Sequence, residues 1–394
     1  MAIATELVEL LWPGATLVRA RSVESPTSSM LCLPSTTKVR SLVPVQPPAV
    51  PAGVIARRLS GRGLRVNTQR VALVGLLRTG LMTRGSTRVA HLEPSAAGTG
   101  LTELLSDLLR HEVFMAIHLG APRANRKPVL ELLDRAGRAV AFGKLGINPL
   151  TDRLVDAEAT ALTTLATREL THVLHPAVIA RTSWQGHPLL LQTPLPVEHA
   201  RQAPTSLVAT AAREVSGVAD GAPTKLPDTP YFKALTQRVS LLPHGEAAEL
   251  LGQALVRLAA GDAQLSCGAW HGDWTSWNMA TVSGRLMVWD WERYESDVPD
   301  GFDLLHHAFQ SAVQRNPLGA PAHARTLLAR APQILHWMDA ATAKDTARLY
   351  VIEIASRYVG DGQAEAGGRL GHVIPWAAPV LESNEAEPMT GATG

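Results

Sequence analysis

The sequence predicts an α+β fold, with a small antiparallel sheet followed by a mainly helical lobe and an additional α/β unit in front. Three observations carry this. Residues 113–145 hold three short apolar runs separated by turn signals, helical patterns dominate from Val197 onward, and the chain is 394 residues long and 46% hydrophobic. That length exceeds what a single hydrophobic core usually holds, so lobes are expected.

Residues 1–110 read as the N-terminal α/β unit. Met30–Leu33 and Val39–Val45 are apolar runs around Pro34-Ser35-Thr36-Thr37, which predicts two strands and a turn, and Ala49–Leu59 and Gln69–Leu81 carry helical spacing. Arg57, Arg58, Arg62, Arg65 and Arg70 crowd this unit, as either a phosphate or partner surface or a solvated basic face. Over 111–195 the expected strands are Val113–Leu119, Pro128–Leu133 and Ala139–Leu145, the last two joined by Arg135-Ala136-Gly137-Arg138. Gly146-Ile147-Asn148-Pro149-Leu150 breaks the third strand, and Thr151 or Asp152 can cap a helix running to about Arg168. Leu189–Gln192 is a further strand, and Thr193-Pro194-Leu195-Pro196 is a stiff exit suited to a hinge. The helical lobe spans 196–382, and the small polar residues 383–394 form a disordered tail.

Charge and composition narrow the function. The net +2 divides into 22 Lys+Arg against 14 Asp+Glu in residues 1–200 and 15 against 21 in 201–394. A basic first half suits a polyphosphate and an acidic second half suits Mg²⁺ or a cationic substrate, while solvated faces of unequal sign explain the same counts. No dense Lys/Arg run interleaved with aromatics is present, which argues against nucleic acid as a partner. No run of 18 apolar residues and no basic-then-apolar start occurs, so a soluble cytoplasmic protein without membrane partners is expected. Cys32 and Cys267 are too few for a disulfide framework and are not spaced as a metal site.

The chemistry concentrates in Trp270-His271-Gly272-Asp273-Trp274-Thr275-Ser276-Trp277-Asn278, followed by the apolar run Leu286-Met287-Val288-Trp289 and then Asp290-Trp291-Glu292. Phosphoryl transfer to an alcohol needs a carboxylate near the attacking hydroxyl and oxygen ligands that hold Mg²⁺ on the phosphates. With four residues between them, Asp273 and Asn278 can occupy opposite ends of one tight loop. Asp290, at the end of a short strand, can project its carboxylate from a rigid support.

The pattern His-Gly-Asp, four residues, Asn, then Asp after an apolar strand resembles the signature of aminoglycoside phosphotransferases, choline kinases and related small-molecule kinases. The resemblance covers roughly residues 111–380 and implies a two-lobed, protein-kinase-like fold. It implies Asp273 as catalytic base, His271 as support for the loop, Asn278 and Asp290 as Mg²⁺ ligands, and Asp303 as a buttress of the loop. Lys144 on the third strand and Glu158 on the next helix are similar to the kinase Lys–Glu pair, in which the ammonium contacts the α/β-phosphates and the carboxylate fixes the ammonium. The nucleotide-covering turn is then Gly120-Ala121-Pro122-Arg123-Ala124-Asn125-Arg126, which departs from a Gly-rich loop and leaves phosphate contacts to Arg123, Asn125 or Arg126. The adenine is expected to sit around Gln192 to Leu195, with ATP as donor, GTP as an alternative, and Mg²⁺ as the metal.

The acceptor is a small molecule with a free hydroxyl. Trp274 and Trp277 are either stacking platforms for it or core packing, and Glu295, Asp297, Asp300, Glu353, Tyr358 and Asp361 are further candidates for its contacts. With 5% aromatic residues, a sugar-like or nucleoside compound is favoured over choline, and an aminoglycoside would want many carboxylates. Antibiotic inactivation and metabolic sugar phosphorylation are both subcases. Glu292 either assists a second Mg²⁺ or points away. The adjacent His306 and His307 diverge by about 100° on a helix, so packing or surface roles are favoured over a metal site. Residues 1–110 dimerise the chain, shape the substrate cleft or do neither. Two rival functions stand beside transfer of the γ-phosphoryl group: a nucleotide-binding pseudokinase scaffold, and an AMP-transferring variant of the same fold.

Overall fold

The computed structural model describes residues 8–19, 29–36, 38–58, 63–80, 88–93, 100–197, 201–218 and 223–383, of which 16–19, 63–70 and 93 are described by backbone alone. The expected tail therefore lies outside the described residues from 384 onward, as do Leu59, Arg62, Leu81 and the side chains of Arg65 and Arg70. The fold is α+β, as the strand and helix patterns predict, and the chain forms two compact units. One comprises Met1–Ala121, Asn125–Gln202 and Ala280–Glu292; the other comprises Pro122–Ala124, Ala203–Met279 and Arg293–Gly394.

The first unit is built on β1 (Thr16–Arg19), β2 (Ser29–Pro34), β3 (Val39–Pro44), β4 (Val89–Glu93), β5 (Phe114–Leu119), β6 (Pro128–Leu133), β7 (Ala139–Leu145), β8 (Val173–Leu174), β9 (Val178–Trp184) and β10 (His187–Gln192). All but β8 form one nine-stranded antiparallel sheet in the order β1-β4-β2-β3-β5-β6-β7-β10-β9. The boundary expected near residue 110 is therefore not a unit boundary. Strand β3 pairs with β5, Ser41 opposite His118 and Leu42 opposite Ile117, so the leading segment and the motif-bearing segment share a single sheet. Leu130, Leu132 and Leu191 are fully buried beneath it, and each contributes about 1.5–3 kcal/mol by leaving water.

Helices α1 (Ala49–Arg58), α2 (Gly63–Arg78), α3 (Leu101–Leu109) and α4 (Pro149–Leu165) complete the unit. From α1, Arg57 Nε donates to Glu131 Oε1 at 2.5 Å and Arg58 donates to Ser41 Oγ at 2.6 Å, while His118 bridges Ser41 and Glu131 at 3.1 and 2.8 Å. Burial pushes the Glu131 carboxyl up, but His118 and Arg57 outweigh it and hold the group below its ordinary range. These two arginines are thus spent on internal partners. Helix α4 starts one turn earlier than the sequence suggests. Asn148, rather than Thr151 or Asp152, is the cap: its side chain accepts from Thr151 N at 2.9 Å, Thr151 Oγ1 accepts from Asn148 N at 3.0 Å, and Pro149 fills the first helical position, where no N–H is needed.

The second unit is mainly helical: α5 (Thr205–Ser216), α6 (Pro230–Ser240), α7 (Glu246–Ala259), α8 (Phe302–Arg315), α9 (Ala320–Ile334), α10 (Ala340–Gly360) and α11 (Ile374–Leu381). A short antiparallel pair, Cys267–Trp270 with Glu295–Pro299, lies in the same unit. Phe302, His306 and Phe309 follow the i, i+4, i+7 spacing of one helix face, and Tyr350 from α10 makes edge-on ring contacts with all three at 5.9, 5.9 and 6.5 Å. The segment 280–292, expected within the helical lobe, instead belongs to the first unit, because Arg285–Val288 runs parallel to β8 and Leu286 N donates to His172 O at 2.7 Å.

Candidate active site

Lys144 sits inside β7, opposite Val129 of β6 and Leu190 of β10, so its backbone is fixed on both sides. Helix α4 buries the spaced set Thr151, Leu154, Val155, Glu158, Leu162 and Leu165, which delivers the Glu158 carboxylate to the interior. Lys144 Nζ donates to both Glu158 oxygens at 2.6 Å and also reaches Asp290 Oδ1. Burial alone would push the Lys144 ammonium down, but Asp290 and Glu158 outweigh it and hold it above the ordinary lysine range.

Asp290 stands two residues past Arg285–Val288 with φ +74°, a left-handed conformation that Asp tolerates better than most side chains. Trp291 Nε1 closes this turn by donating to Val288 O at 3.0 Å. Two residues on, Glu292 is buried and accepts from Asn125 Nδ2 at 3.0 Å and from Lys127 Nζ. Carboxylate oxygens of Glu158, Asp290 and Glu292 all lie within 4.8 Å of one another. The first unit thus gathers three carboxylates and two ammonium groups in one cluster, buried except at Asp290. Glu292 lies near this chemistry as its place after Asp290 suggests, whereas Lys127, whose partner lies 165 residues away, carries no local signal of its role.

Of the other nucleotide candidates, Gln192 ends β10, is buried, and has Oε1 without a hydrogen-bond partner. Arg123 is exposed on the turn between β5 and β6, whereas Asn125 is turned onto Glu292.

In the second unit the Trp270–Asn278 loop is organised by buried groups. Asp303 accepts the backbone N–H groups of His271 and Gly272 at 2.7 and 3.1 Å, and Arg357 donates to Gly272 O at 2.7 Å. This is the buttress expected at Asp303. His271 is fully buried, and its Nδ1 accepts from Asp273 N at 3.1 Å. Asn278 Nδ2 donates to both the carbonyl and the Oδ2 of Asp273, at 3.1 and 2.9 Å. The two ends of the loop therefore meet, as the four-residue spacing allows. His306 Nε2 lies 3.1 Å from Asp273 Oδ1, so His306 faces the loop carboxylate, beyond the packing or surface role that its helical position suggests. Its sequence signal was a polar residue on the apolar face Phe302/Phe309, three residues past Asp303. His307 also faces the loop, with Nδ1 at 3.3 Å from Trp274 O.

The acceptor candidates separate into different environments. Trp274 is 0% exposed and edge-on to His271 at 5.7 Å, so it is core packing inside the loop and not a stacking platform. Trp277 is 42% exposed. Glu295 is exposed, 3.8 Å from Arg238. The Tyr358 hydroxyl accepts from Gln310 Nε2 at 3.1 Å. Three acids are tied to arginines: Glu353 to Arg238 and Arg357, Asp361 to Arg293, and Asp300 to Arg213.

No family model matches the chain, and no curated protein matches it. Among solved structures it is similar to a thermostable mutant of aminoglycoside phosphotransferase APH(4)-Ia in ternary complex with ADP and hygromycin B (TM-score 0.45, 13% identity, 73% of this chain and 100% of that one). It is also similar to a fructosamine-3-kinase-like protein of Haemophilus somnus 129PT (TM-score 0.43, 15% identity, 72% and 95%). A third likeness is amicoumacin kinase hAmiN in complex with AMP-PNP, Ca²⁺ and Ami (TM-score 0.38, 12% identity, 67% and 89%).

Proposed function

We propose that the chain is an ATP-dependent phosphotransferase that moves the γ-phosphoryl group to a hydroxyl of a small molecule. The observation that carries this reading is Lys144, a buried ammonium bridging the carboxylates of Glu158 and Asp290. An ammonium fixed in this way is suited to triphosphate oxygens, because its orientation is set before the ligand arrives. Gln192 and the strand exit beyond it are the groups proposed to face the base, and Arg123 and Asn125 are proposed as phosphate-side contacts.

A divalent cation fits the donor chemistry. The clustered carboxylates of the first unit are hard oxygen ligands of the kind Mg²⁺ prefers, and Asp290 is proposed as a ligand. When bound, Mg²⁺ neutralises charge on the phosphates. Asp273 orients the acceptor hydroxyl and receives its proton late in the step. The acceptor oxygen forms a bond to the γ-phosphorus, the bond from that phosphorus to the β,γ-bridging oxygen breaks, and ADP leaves with the electron pair.

Among the described residues of the second unit, Glu353, Asp361 and Asp300 are tied to arginines, which withdraws three of the candidate carboxylates from a polycation. The acceptor class proposed is a neutral, polyhydroxylated sugar-like or nucleoside compound, with Trp277, Glu295 and Tyr358 as candidate contacts. The test is Mg²⁺-dependent transfer from γ-labelled ATP or GTP to a panel of nucleoside antibiotics, sugars, aminoglycosides and amino alcohols. Transfer by the wild type and its loss in Asp273→Ala, with nucleotide affinity retained, is the expected result. Wild-type turnover in Asp273→Ala would overturn it, and a product mass showing added AMP would replace phosphoryl with nucleotidyl transfer.

A further inference from the structure

Asp273 is held by its own loop and also by helix α8 from outside that loop. Its side chain is 31% exposed, so a contact from outside the loop restricts the carboxylate further than the loop does. Asn278 holds Oδ2, and His306 holds Oδ1. We infer that His306 is a positioning residue for Asp273, set in its tautomer by Tyr350; the inference rests on the phosphotransferase reading of Asp273.

The hydrogen-bond chemistry gives the direction of each contact. A carboxylate only accepts, so His306 Nε2 must carry the proton that points at Asp273. Tyr350 Oη lies 3.0 Å from the opposite nitrogen, Nδ1. Burial drives the His306 imidazolium down, against the smaller upward pull of Asp273, which leaves the neutral ring. Nδ1 is then an acceptor and the Tyr350 hydroxyl its donor. Burial also pushes the Tyr350 phenol well above its usual range, so that hydroxyl keeps its proton. Both nitrogens of a side chain only 3% exposed are thereby satisfied.

Packing alone does not call for this arrangement. The 302/306/309 face of α8 is otherwise aromatic, and an apolar side chain at 306 would fill it without needing two polar partners. The relay Tyr350–His306–Asp273 instead runs from the core of the second unit to a half-buried carboxylate. Because the imidazole is neutral, it orients that carboxylate by one N–H without locking it in an ion pair.

The experiment compares full-length wild type, His306→Leu, His306→Gln, Tyr350→Phe and Asp273→Ala. It measures kcat and KM for ATP with whichever acceptor the labelled panel yields, affinity for a fluorescent ADP analogue, and ¹⁵N resonances of the histidines. Loss of the N–H should lower kcat about 10- to 100-fold in His306→Leu while KM for ATP and nucleotide affinity stay within about twofold. His306→Gln keeps an N–H donor and should recover most of that loss; Tyr350→Phe should fall between. The ¹⁵N spectrum should show His306 protonated at Nε2, with that resonance moving in Asp273→Ala. Wild-type kcat in His306→Leu alongside an inactive Asp273→Ala overturns the inference. So does an Nδ1-protonated or doubly protonated ring, or an Nε2 resonance indifferent to Asp273→Ala, and these readings need neither an acceptor nor a folded His306→Leu. Unimpaired turnover in Asp273→Ala overturns the phosphotransferase reading instead.

Discussion

Gly53 of α1 and Gly137 of the turn between β6 and β7 face each other with no room for a methyl group on either. A Cβ at Gly53 would lie 2.0 Å from Gly137 O, and one at Gly137 would lie 2.0 Å from Ala49 O. Helix α1 therefore packs backbone to backbone on the hairpin that ends in the Lys144 strand, and Arg57 adds a hydrogen bond to Gly137 O at 3.2 Å.

Gly53→Ala should separate these backbones and destabilise the protein by about 1–3 kcal/mol, the usual cost of overpacking. Urea denaturation checks this, with Gly252→Ala as the control, since a Cβ there meets nothing within 4 Å.

Glu158→Ala should leave a buried ammonium with Asp290 as its remaining carboxylate partner among those of the pair. Removing one partner of a buried ion pair costs about 3–5 kcal/mol, with the lower end expected here because Asp290 stays. Denaturation midpoints measure the loss. Glu158→Gln should recover part of it through a retained carbonyl acceptor.

Gly272→Ala should abolish transfer. Gly272 has φ +80°, and a Cβ there would lie 2.2 Å from Arg293 O, so the clash is with backbone and no side chain can swing aside. Loss of turnover together with a lowered melting temperature is the expected pair of readouts.

Asp303 gives the pH dependence. Burial pushes its carboxyl from the ordinary range up to about 7, against the opposing backbone N–H groups of His271 and Gly272. A folded-state pKa above the unfolded value means that the folded protein holds a proton which the unfolded chain has released. Stability from this group is therefore full below about pH 4, falls as pH rises toward 7 and is flat above. The melting temperature of wild type minus that of Asp303→Asn should shrink across that window; a difference independent of pH would refute the assignment.

Much of this site was legible because its signals are local. The strand, turn, strand and capped helix that carry Lys144 and Glu158 are written in alternation, Gly137 and the Asn148-Pro149 break, and the Asp273–Asn278 spacing fixes a loop whose ends meet. What was missed depends on long-range pairing. Lys127 to Glu292 and His306 to Asp273 join residues far apart in the chain, and single-sequence periodicity cannot pair them. The placement of 280–292 with the first unit follows from main-chain pairing to β8, which two short apolar runs do not announce. Loop membership alone does not specify burial, so sequence cannot decide between substrate contact and core for Trp274.

Strand β5 is covered on one side by β3 and on the other by β6. A shortened protein beginning at the motif-bearing segment would strip β3 away and leave β5 with a row of unanswered N–H and C=O groups beside its buried Met115 and Ile117. Such an open rim pairs readily with a second copy of itself. Strand β3 of the leading segment thus seals one edge of the sheet that holds Lys144.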